Sequence, residues 1–475
     1  MQNNDPTAYY AAYDAAKRKH LADLLAKIDV KALERAASKA RAGVGCIIPA
    51  FADDTDPSSL ADRVSRQCGG QNCHLDVEFS DGVTWLARIR LDDPLLPPRE
   101  VQAYVFLSEV ATLQFLASTA ILAPRVYAYQ LESPENAVGT SYVLMEKLPG
   151  KPLDWNSAPA EGRVRVLEQL ADLYLELEKH PIPLTGSLLP TSEHGGANCD
   201  LNVAGFAQMP CFETPDLPLG PFKTLEDAYS SIIRQQQEML ANQEVGNLRL
   251  DNYFAFLWRL KALPELVANS ASRSGPFYLK HYDDKGDHLL VDGDYNITGV
   301  IDWEFASAEA KEVAFSSPCM VWPVGDFYDG SNALNEDEEK LAAIFERRGR
   351  ADMAAIVRGG RLWQRYLFFL GGGIPRNMAE FEPLFQGLRK SVLGDGEEPV
   401  VSSYQEWKQW ALAEFSQRDP RLQALMRDER AKGPNYPTTG LSYLPPGVSG
   451  LIGAFSKGRP QCYGLELPPC GPISS

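Results

Sequence analysis

Apolar positions recur along the chain with two different periods, and each period predicts a different kind of element. Residues 162–180 carry apolar side chains at 3.6-residue spacing, which predicts a helix that ends before Pro181. Between about residues 66 and 92, the alternating or apolar runs LDVEF and TWLARIRL flank the turn SDG. This second pattern predicts a β-hairpin.

The remaining elements follow the same logic. An Ala- and Leu-rich segment at 6–42 predicts one or two helices, and REVQAYVFLSEVATLQFLAST predicts another. RVYAYQL and SYVLMEKL predict strands, and the second ends at the turn Pro149-Gly150. Beyond this turn the pattern is mostly helical, interrupted by the short strands FYLKH, LLVD and ITGVID. A Gly- and Pro-rich stretch at about 185–222 predicts a long loop of the sort that lines binding sites.

This order predicts an α+β, two-lobed fold with a small β-rich lobe, a larger helical lobe and a cleft between them. We expect a helical extension at residues 1–44, the β-rich lobe at 45–149 and the helical lobe at 150–432. The last segment, 433–475, has a weakly structured composition.

Charge and composition narrow the range of partners. The 475 residues are 44% hydrophobic and 23% charged, which is ordinary for a globular protein, and the formal net charge is −17. An acidic chain lacks the basic surface that unspecific binding to nucleic acid or to anionic membranes needs. The first residues lack the pattern of a signal peptide, so a cytoplasmic protein with small-molecule partners is expected. Its oligomeric state stays open.

The eight cysteines are scattered and form no CxxC pair. The closest two, Cys68 and Cys73, have four residues between them. In a chain of this size, such spacing favours reduced thiols over a disulfide framework or a zinc site.

Two acidic clusters near the short strands are candidates for phosphoryl-transfer chemistry, which needs a carboxylate for the acceptor hydroxyl and others for Mg²⁺. Asp283 lies in the loop between FYLKH and HLLVD, and Asp302 ends the apolar run ITGVI. A lone loop Asp is usually a solvated turn residue. A buried strand, however, would not end in a charge without a partner such as a metal. Asp292 and Asp294 flank a hairpin turn and are interpreted as structural.

The β-rich part offers candidates for holding phosphates. Gly69 and Gly70 precede a strand and allow close approach of a phosphate, although an ordinary strand-entry turn explains them equally well. Arg88 in the next strand and Glu109 in the following helix can form the ion pair with which kinases steady phosphates. Arg90 lies on the same strand face, so the choice between the two arginines stays open.

The segment from FYLKHYDD through ITGVIDWEFA resembles the catalytic core of the aminoglycoside phosphotransferase-like (kinase-like) family, which has many fungal members. In that family the loop is H-x-D-x-x-x-x-N, followed by a hairpin and a hydrophobic-I-D-[WF]-E segment. The order of the upstream elements agrees as well, over roughly residues 45–420. The matching residues are His281, Asp283, Asp302, Trp303 and Glu304.

The resemblance implies a protein-kinase-like fold that uses ATP and Mg²⁺ to phosphorylate a hydroxyl of a small molecule. Asp283 would be the catalytic base, and Asp302 would bind the metal. Arg88 would stand where the family has a phosphate-binding Lys, paired with Glu109. Adenine would face the backbone of the segment Met145, Glu146 and Lys147, and the 185–222 stretch would shape the acceptor pocket.

The chain departs from the family pattern at two positions. His288 stands where the family has a metal-binding Asn, and imidazole suits ions such as Mn²⁺ or Zn²⁺ better than Mg²⁺. Asp284 or Asp287 is a candidate for the missing oxygen ligand. Arg88 in place of Lys keeps the charge but not the shape of the cation.

These departures leave alternatives to an ATP-dependent small-molecule kinase. One is a kinase-like binding or scaffold protein whose transfer activity is weakened or lost through His288. Another is a metal-dependent hydrolase that uses His281, Asp283, Asp287 and His288, although ITGVIDWE has no role in such a site. A protein kinase is disfavoured because the D-F-G and A-P-E segments are not found.

Overall fold

The structure is a computed structural model of the 475-residue chain. It describes residues 6–52, 57–65, 68–69, 71–91, 99–192, 194–196, 200–208, 218–242, 248–369, 375, 377–393 and 403–432. Gly70 and the segment 433–475, for which the sequence predicts weak structure, lie outside the described residues.

Strands and helices follow one another in an α+β order. The strands are β1 (Cys46–Ile47), β2 (Asn72–Phe79), β3 (Thr84–Arg90), β4 (Val126–Gln130), β5 (Tyr142–Glu146), β6 (Lys151–Pro152), β7 (Ser187–Pro190), β8 (His194–Gly196), β9 (Leu201–Ala204), β10 (Tyr278–Lys280), β11 (Leu289–Val291), β12 (Ile297–Val300) and β13 (Ser307–Glu309). The helices are α1 (Pro6–Lys27), α2 (Val30–Ala40), α3 (Pro57–Val64), α4 (Arg99–Leu116), α5 (Ala160–Glu178), α6 (Leu225–Ala241), α7 (Arg249–Ala268), α8 (Lys311–Ala314), α9 (Val324–Tyr328), α10 (Glu336–Arg347), α11 (Ala351–Phe368), α12 (Met378–Leu393), α13 (Tyr404–Phe415) and α14 (Pro420–Lys432).

The first lobe is built on an antiparallel sheet with the strand order β1-β2-β3-β5-β4-β8. The predicted hairpin is confirmed as β2 and β3, in which Asn72 pairs with Arg90 and Glu78 with Thr84. Because side chains alternate across a strand, Arg88 and Arg90 share one face of β3. The other face of β3 is apolar.

The N-terminal helices cover the apolar face of this sheet. Leu24 and Leu33, from α1 and α2, are buried in one hydrophobic cluster with Val77, Trp85 and Ile89 from β2 and β3. The side chain of Asp29 caps α2 by accepting a hydrogen bond from the Ala32 N–H group at 2.8 Å. With its apolar face covered, the sheet presents the arginine face to the rest of the molecule.

The second lobe is mostly helical and carries the two acidic clusters on short strands. Strands β11 and β12 form an antiparallel hairpin, and β6 pairs with β11 on its other side. Strand β10 pairs with β13. Helices α5 to α14 share one large hydrophobic core with these strands. The fold is therefore α+β with two lobes, as predicted.

The prediction of a long loop at 185–222 is wrong in part. Strands β7 and β9 pair in antiparallel register from Ser187 with Ala204 onward, and β8 extends the first lobe's sheet alongside β4. At Gly186, φ is +147° and an added Cβ would lie 2.1 Å from the Ala204 carbonyl oxygen. Glycine therefore allows the close approach that begins this pairing, although its abundance indicated a loop.

None of the described helices combines the length and the apolar composition that crossing a bilayer requires.

Candidate active site

The loop between β10 and β11, residues 281–288, is fixed at both ends. His281 Nε2 donates to the Ile301 carbonyl oxygen at 2.9 Å, and the Ile301 N–H group donates to the His288 carbonyl oxygen at 2.9 Å. Asp284 accepts from the Cys319 N–H group at 2.9 Å and from Lys280 Nζ at 2.6 Å. These bonds hold the loop rigidly against the end of β12, where Asp302 lies.

Asp283 is buried in this loop, with 8% of its surface exposed, and its carboxylate is paired with Lys285. Lys285 Nζ donates to both Asp283 oxygens, at 2.9 and 2.8 Å. Burial raises the pKa of Asp283 to about 6, while Lys285 opposes the rise and Asp302 and Asp287 add to it. A carboxylate with this pKa is suited to accept a proton near neutral pH.

Asp302 lies directly beyond the Ile301 position that ties the loop to β12. Its φ is +63°, in the left-handed region that Asp tolerates better than most residues. Its side chain is 47% exposed, and one oxygen accepts from Arg88 Nη2 at 3.2 Å. The backbone conformation thus turns the chain sharply at Asp302, the residue predicted to bind the metal.

Arg88 connects the two lobes through three carboxylates. It forms an ion pair with Glu109 of α4, and its Nη2 donates to Glu304 Oε2 at 3.1 Å as well as to Asp302. Burial alone would lower the pKa of Arg88, but these three carboxylates raise it. Burial raises the pKa of Glu109 to about 7, against the lowering effect of Arg88. The predicted Arg88–Glu109 pair is therefore present in the structure.

Glu304 was given no role by the sequence, yet it is central to this ionic cluster. It is buried, and it accepts from Arg90 Nη1 at 2.6 Å in addition to its bond with Arg88. Both arginines of β3 therefore reach the cluster, and Arg88 is paired with Glu109 as well. The carboxyl groups of Glu109, Asp302 and Glu304 thus meet the two guanidinium groups of β3 in one cluster. The signal was present in the motif, since Glu304 is the last residue of I-D-W-E.

His288, in the position of the family's Asn, is buried beside His281, with ring centroids 4.5 Å apart. Burial lowers its pKa well below the ordinary value, so the ring is neutral. Its Nδ1 accepts from the Gly286 N–H group at 3.3 Å, which places the single ring proton on Nε2. In this arrangement neither nitrogen offers a free lone pair to a metal ion.

The other candidate oxygen ligands differ in availability. Both Asp284 oxygens are engaged, by Lys280 and by the Cys319 N–H group. Asp287 is more exposed and lies 3.6 Å from Lys285 Nζ. Among the described residues, which include all of 281–304, no group of three or more His, Cys, Asp or Glu side chains is arranged to hold a metal ion. His281, Asp283, Asp287 and His288 therefore do not form such a group.

The described residues predicted to face the nucleotide lie in the first lobe, before the start of β2 and at the end of β5. The Gly69 N–H group donates to the Asn72 carbonyl oxygen at 2.8 Å and so belongs to the turn itself. Met145 and Glu146 end β5, and the Glu146 N–H group donates to the Arg125 carbonyl oxygen at 2.8 Å. Lys147 pairs with Asp76 at 2.7 Å. Their contacts with adenine or phosphate stay a prediction.

Several solved structures are similar to this chain. A thermostable mutant of aminoglycoside phosphotransferase APH(4)-Ia, in a ternary complex with AMP-PNP and hygromycin B, is 17% identical, with 69% of this chain and 92% of that chain covered and a TM-score of 0.39. The GDP complex of an aminoglycoside 2′-phosphotransferase-IIIa mutant is 15% identical, with 77% and 91% covered and a TM-score of 0.37.

Two curated relatives are similar over a shorter region. They are the subtelomeric hrmA-associated cluster proteins of two Aspergillus fumigatus strains, Af293 and CEA10. The first is 33% identical over 128 residues, which is 26% of this chain and 24% of the relative. The second is 33% identical over 123 residues, which is 25% of this chain and 23% of the relative. The chain thus matches about a quarter of the length of these relatives.

A family model, described as the phosphotransferase enzyme family (APH), matches residues 76–309. The matched region begins in β2 and ends with β13, so it contains the ionic cluster, the Asp283 loop and Asp302. Residues 76–309, a little under half of the chain, are therefore similar in sequence to the phosphotransferase enzyme family.

Proposed function

We propose that the chain is an ATP-dependent phosphotransferase that acts on a hydroxyl group of a small molecule. One observation supports this most strongly. The loop that carries the buried Asp283–Lys285 pair is hydrogen-bonded to Ile301, the residue before Asp302, and the Asp302 carboxylate accepts a hydrogen bond from Arg88. A proton acceptor, a candidate metal ligand and a cation for phosphates are therefore near one another at the junction of the two lobes.

In the proposed reaction, the acceptor oxygen attacks the γ-phosphorus of ATP and the bond to the β-phosphate oxygen breaks, so that ADP leaves. Asp283 orients the hydroxyl group and takes its proton. Lys285 donates hydrogen bonds to both oxygens of Asp283, which fixes the direction of this carboxylate. In the proposed reaction, its charge would stabilise the transferring phosphoryl group. Arg88, restrained by Glu109, supplies a second cation for the phosphates.

The donors present fit a hydrated Mg²⁺ ion better than a closed protein cage. Mg²⁺ is usually bound by one or two carboxylates together with substrate phosphates and water. The half-exposed carboxylate of Asp302 is suited to this, while the engaged Nδ1 of His288 is not. When bound, Mg²⁺ would neutralise the charge that develops on the phosphates. We assign Asp302 to the metal and give His288 the role of anchoring the loop.

A second candidate function is a nucleotide-binding protein without efficient transfer. The neutral, engaged imidazole of His288 favours it, because the family's second metal ligand is then missing. Replacing His288 by Asn restores an oxygen ligand of the kind that Mg²⁺ prefers. A protein that binds ATP without turnover, and that gains Mg²⁺-dependent turnover as His288→Asn, would be this weakened form.

The test combines thermal shift with ATP and Mg²⁺ or Mn²⁺ and ADP release across a library of hydroxylated metabolites. We expect ATP to stabilise the wild-type protein and one acceptor class to stimulate ADP release. Asp283→Asn should lower turnover at least about 100-fold while ATP still stabilises the protein, because only the proton acceptor is lost. In Asp302→Asn, the new residue tolerates the left-handed backbone but lacks the carboxylate. This variant should lose Mg²⁺-dependent turnover.

Asp294→Asn is the matched control, since it makes the same substitution at an exposed turn residue of the neighbouring hairpin. Its turnover should equal that of the wild type. A protein that ATP does not stabilise at all would reject the phosphotransferase. Turnover unchanged by Asp283→Asn would reject the assigned base.

A further inference from the structure

We propose that Cys68 and Cys73 are a reversible disulfide site at the entrance to β2. The two residues face each other across an isolated antiparallel bridge. The Gly69 N–H group donates to the Asn72 carbonyl oxygen at 2.8 Å, inside that bridge, which identifies Cys68 and Cys73 as a non-hydrogen-bonded pair. Such pairs have Cα atoms about 4.5 Å apart, within the range of about 4.4 to 6.8 Å that a disulfide spans.

Both thiols are free in the structure, and they interact with each other. Cys68 is partly exposed, and its Sγ points toward the Val64 carbonyl oxygen at 3.6 Å, whereas Cys73 is buried. Their interaction lowers the pKa of Cys68, helped by Lys17, and raises that of Cys73. Cys68 is therefore the thiol that reacts first, and Cys73 is placed to resolve the product.

A cavity of about 270 Å³ opens beside the Cys68 thiol, between α1 and the end of β3. Among the described residues, its lining includes Lys17, Arg18 and His20 together with the carboxylate of Asp14. Positive charge around a thiol favours its thiolate and attracts anions. An anionic low-molecular-weight disulfide, of which glutathione disulfide is the model, fits this surrounding better than a neutral oxidant.

The chemistry balances as two thiol–disulfide exchanges. The Cys68 thiolate attacks one sulfur of glutathione disulfide, which forms a mixed disulfide and releases one glutathione thiolate. Cys73 then loses its proton and attacks Cys68 Sγ, which closes the intramolecular disulfide and releases the second glutathione thiolate. The two protein thiols are oxidised, and one glutathione disulfide is reduced to two thiols.

The position of the two cysteines means that the disulfide should weaken ATP binding, an expectation that rests on the proposed function. Gln71, between the two cysteines, accepts a hydrogen bond from Arg90, and the Asn72 amide lies against Arg88. Because Gln71 and Asn72 lie between the two cysteines, a disulfide would restrict the movement of both side chains when a nucleotide binds. We expect the oxidised protein to bind ATP about three-fold more weakly than the reduced protein.

The test treats the folded full-length protein with glutathione disulfide, blocks the remaining thiols with iodoacetamide and measures the tryptic peptide 67–88, which contains both cysteines, by mass spectrometry. We expect this peptide to lose two hydrogens and to escape alkylation, and dithiothreitol to reverse both changes. Cys73→Ser should instead accumulate a glutathione adduct on Cys68, because the resolving thiol is absent. Cys68→Ser should leave the buried Cys73 unmodified.

Lys17→Gln tests the cavity, and we expect the exchange to slow about three-fold while the final product stays the same. Cys46→Ser removes a partly exposed thiol elsewhere and should change nothing. A wild-type peptide that stays alkylated at both cysteines, or a Cys73→Ser protein without an adduct, would overturn the proposal. If ATP binds neither redox form while the disulfide forms, the proposed function fails and the disulfide site stands.

Discussion

At the scale of single residues, the proposed chemistry depends on the opposing effects of burial and neighbouring charge on the carboxyl group of Asp283. Burial raises the pKa of its carboxyl group, and Lys285 lowers it through two hydrogen bonds. Asp302 and Asp287 act in the opposite direction to Lys285. The neighbours of Asp283 therefore set the pH range in which it can accept a proton.

The pH profile of kcat/KM should report this balance. Asp283 must be ionised to act as a base, so kcat/KM should fall as the pH drops through about 6 and level off above it. In Lys285→Met, the group that lowers the pKa is gone, and the acid limb should move to higher pH. Turnover at neutral pH should fall about ten-fold or more, because the orientation of Asp283 is also lost.

Asp287→Asn provides a control of opposite sign. It removes a nearby carboxylate that raises the pKa of Asp283, so the acid limb should move to lower pH. If the acid limbs of the kcat/KM profiles coincide in the wild type, Lys285→Met and Asp287→Asn, a group other than Asp283 controls the pH dependence.

The sequence predicted Asp283 and Asp302 because each has a motif and a strand end to identify it. It did not predict Lys285 or Glu304, since the importance of each depends on a partner. Lys285 matters because it reaches both oxygens of Asp283 two residues away. Glu304 matters because two arginines more than two hundred residues earlier point at it. The pairings of Glu304 span so much of the chain that they leave no local pattern in one sequence.

At the scale of elements, strand β3 connects the lobes through its polar face. Its alternation places Arg88 and Arg90 opposite the apolar face that α1 and α2 cover, and both bind Glu304, which follows β12. This arrangement makes a buried ion-pair network the link between the sheet and the β11–β12 hairpin. Buried networks are sensitive to the loss of one member.

Glu304→Gln should therefore destabilise the fold by about 3–5 kcal/mol, because two buried guanidinium groups lose a shared counter-charge. Urea unfolding would measure the change in the free energy of unfolding. Glu339→Gln is the matched control, at a half-exposed ion pair with Arg358, and should cost no more than about 1 kcal/mol. Equal effects of the two substitutions would contradict a structural role for the network.

Elements were predictable from the sequence where the periodic spacing of apolar residues extends over several helical turns or over a full hairpin. Helix α5 and the β2–β3 hairpin are examples, because burial on one face imposes the period on the sequence. Strands β7 and β9 were missed, since each has four residues and lies among Gly and Pro. Such short strands are defined by hydrogen bonds between the main chains of neighbouring strands. These bonds leave no periodic pattern of side chains in the sequence.

At the scale of the whole molecule, the N-terminal helices belong to the first lobe's core. Leu33 is fully buried in the cluster that also contains Leu75 and Val77 of β2. The sheet has its arginines on one face, so its other face needs an apolar cover to be stable. Helices α1 and α2 supply this cover, and the position of β3, and hence of Arg88, depends on it.

Leu33→Ala tests this dependence far from the site. We expect a loss of about 2–5 kcal/mol in the free energy of unfolding, because the substitution leaves a cavity between α2 and the sheet. Lys31→Ala, at an exposed position of the same helix, should change the free energy by less than about 1 kcal/mol. Urea unfolding at equal protein concentrations would compare the two. If Leu33→Ala were as stable as Lys31→Ala, α2 would be a separable appendage and the sheet would hold Arg88 in place without it.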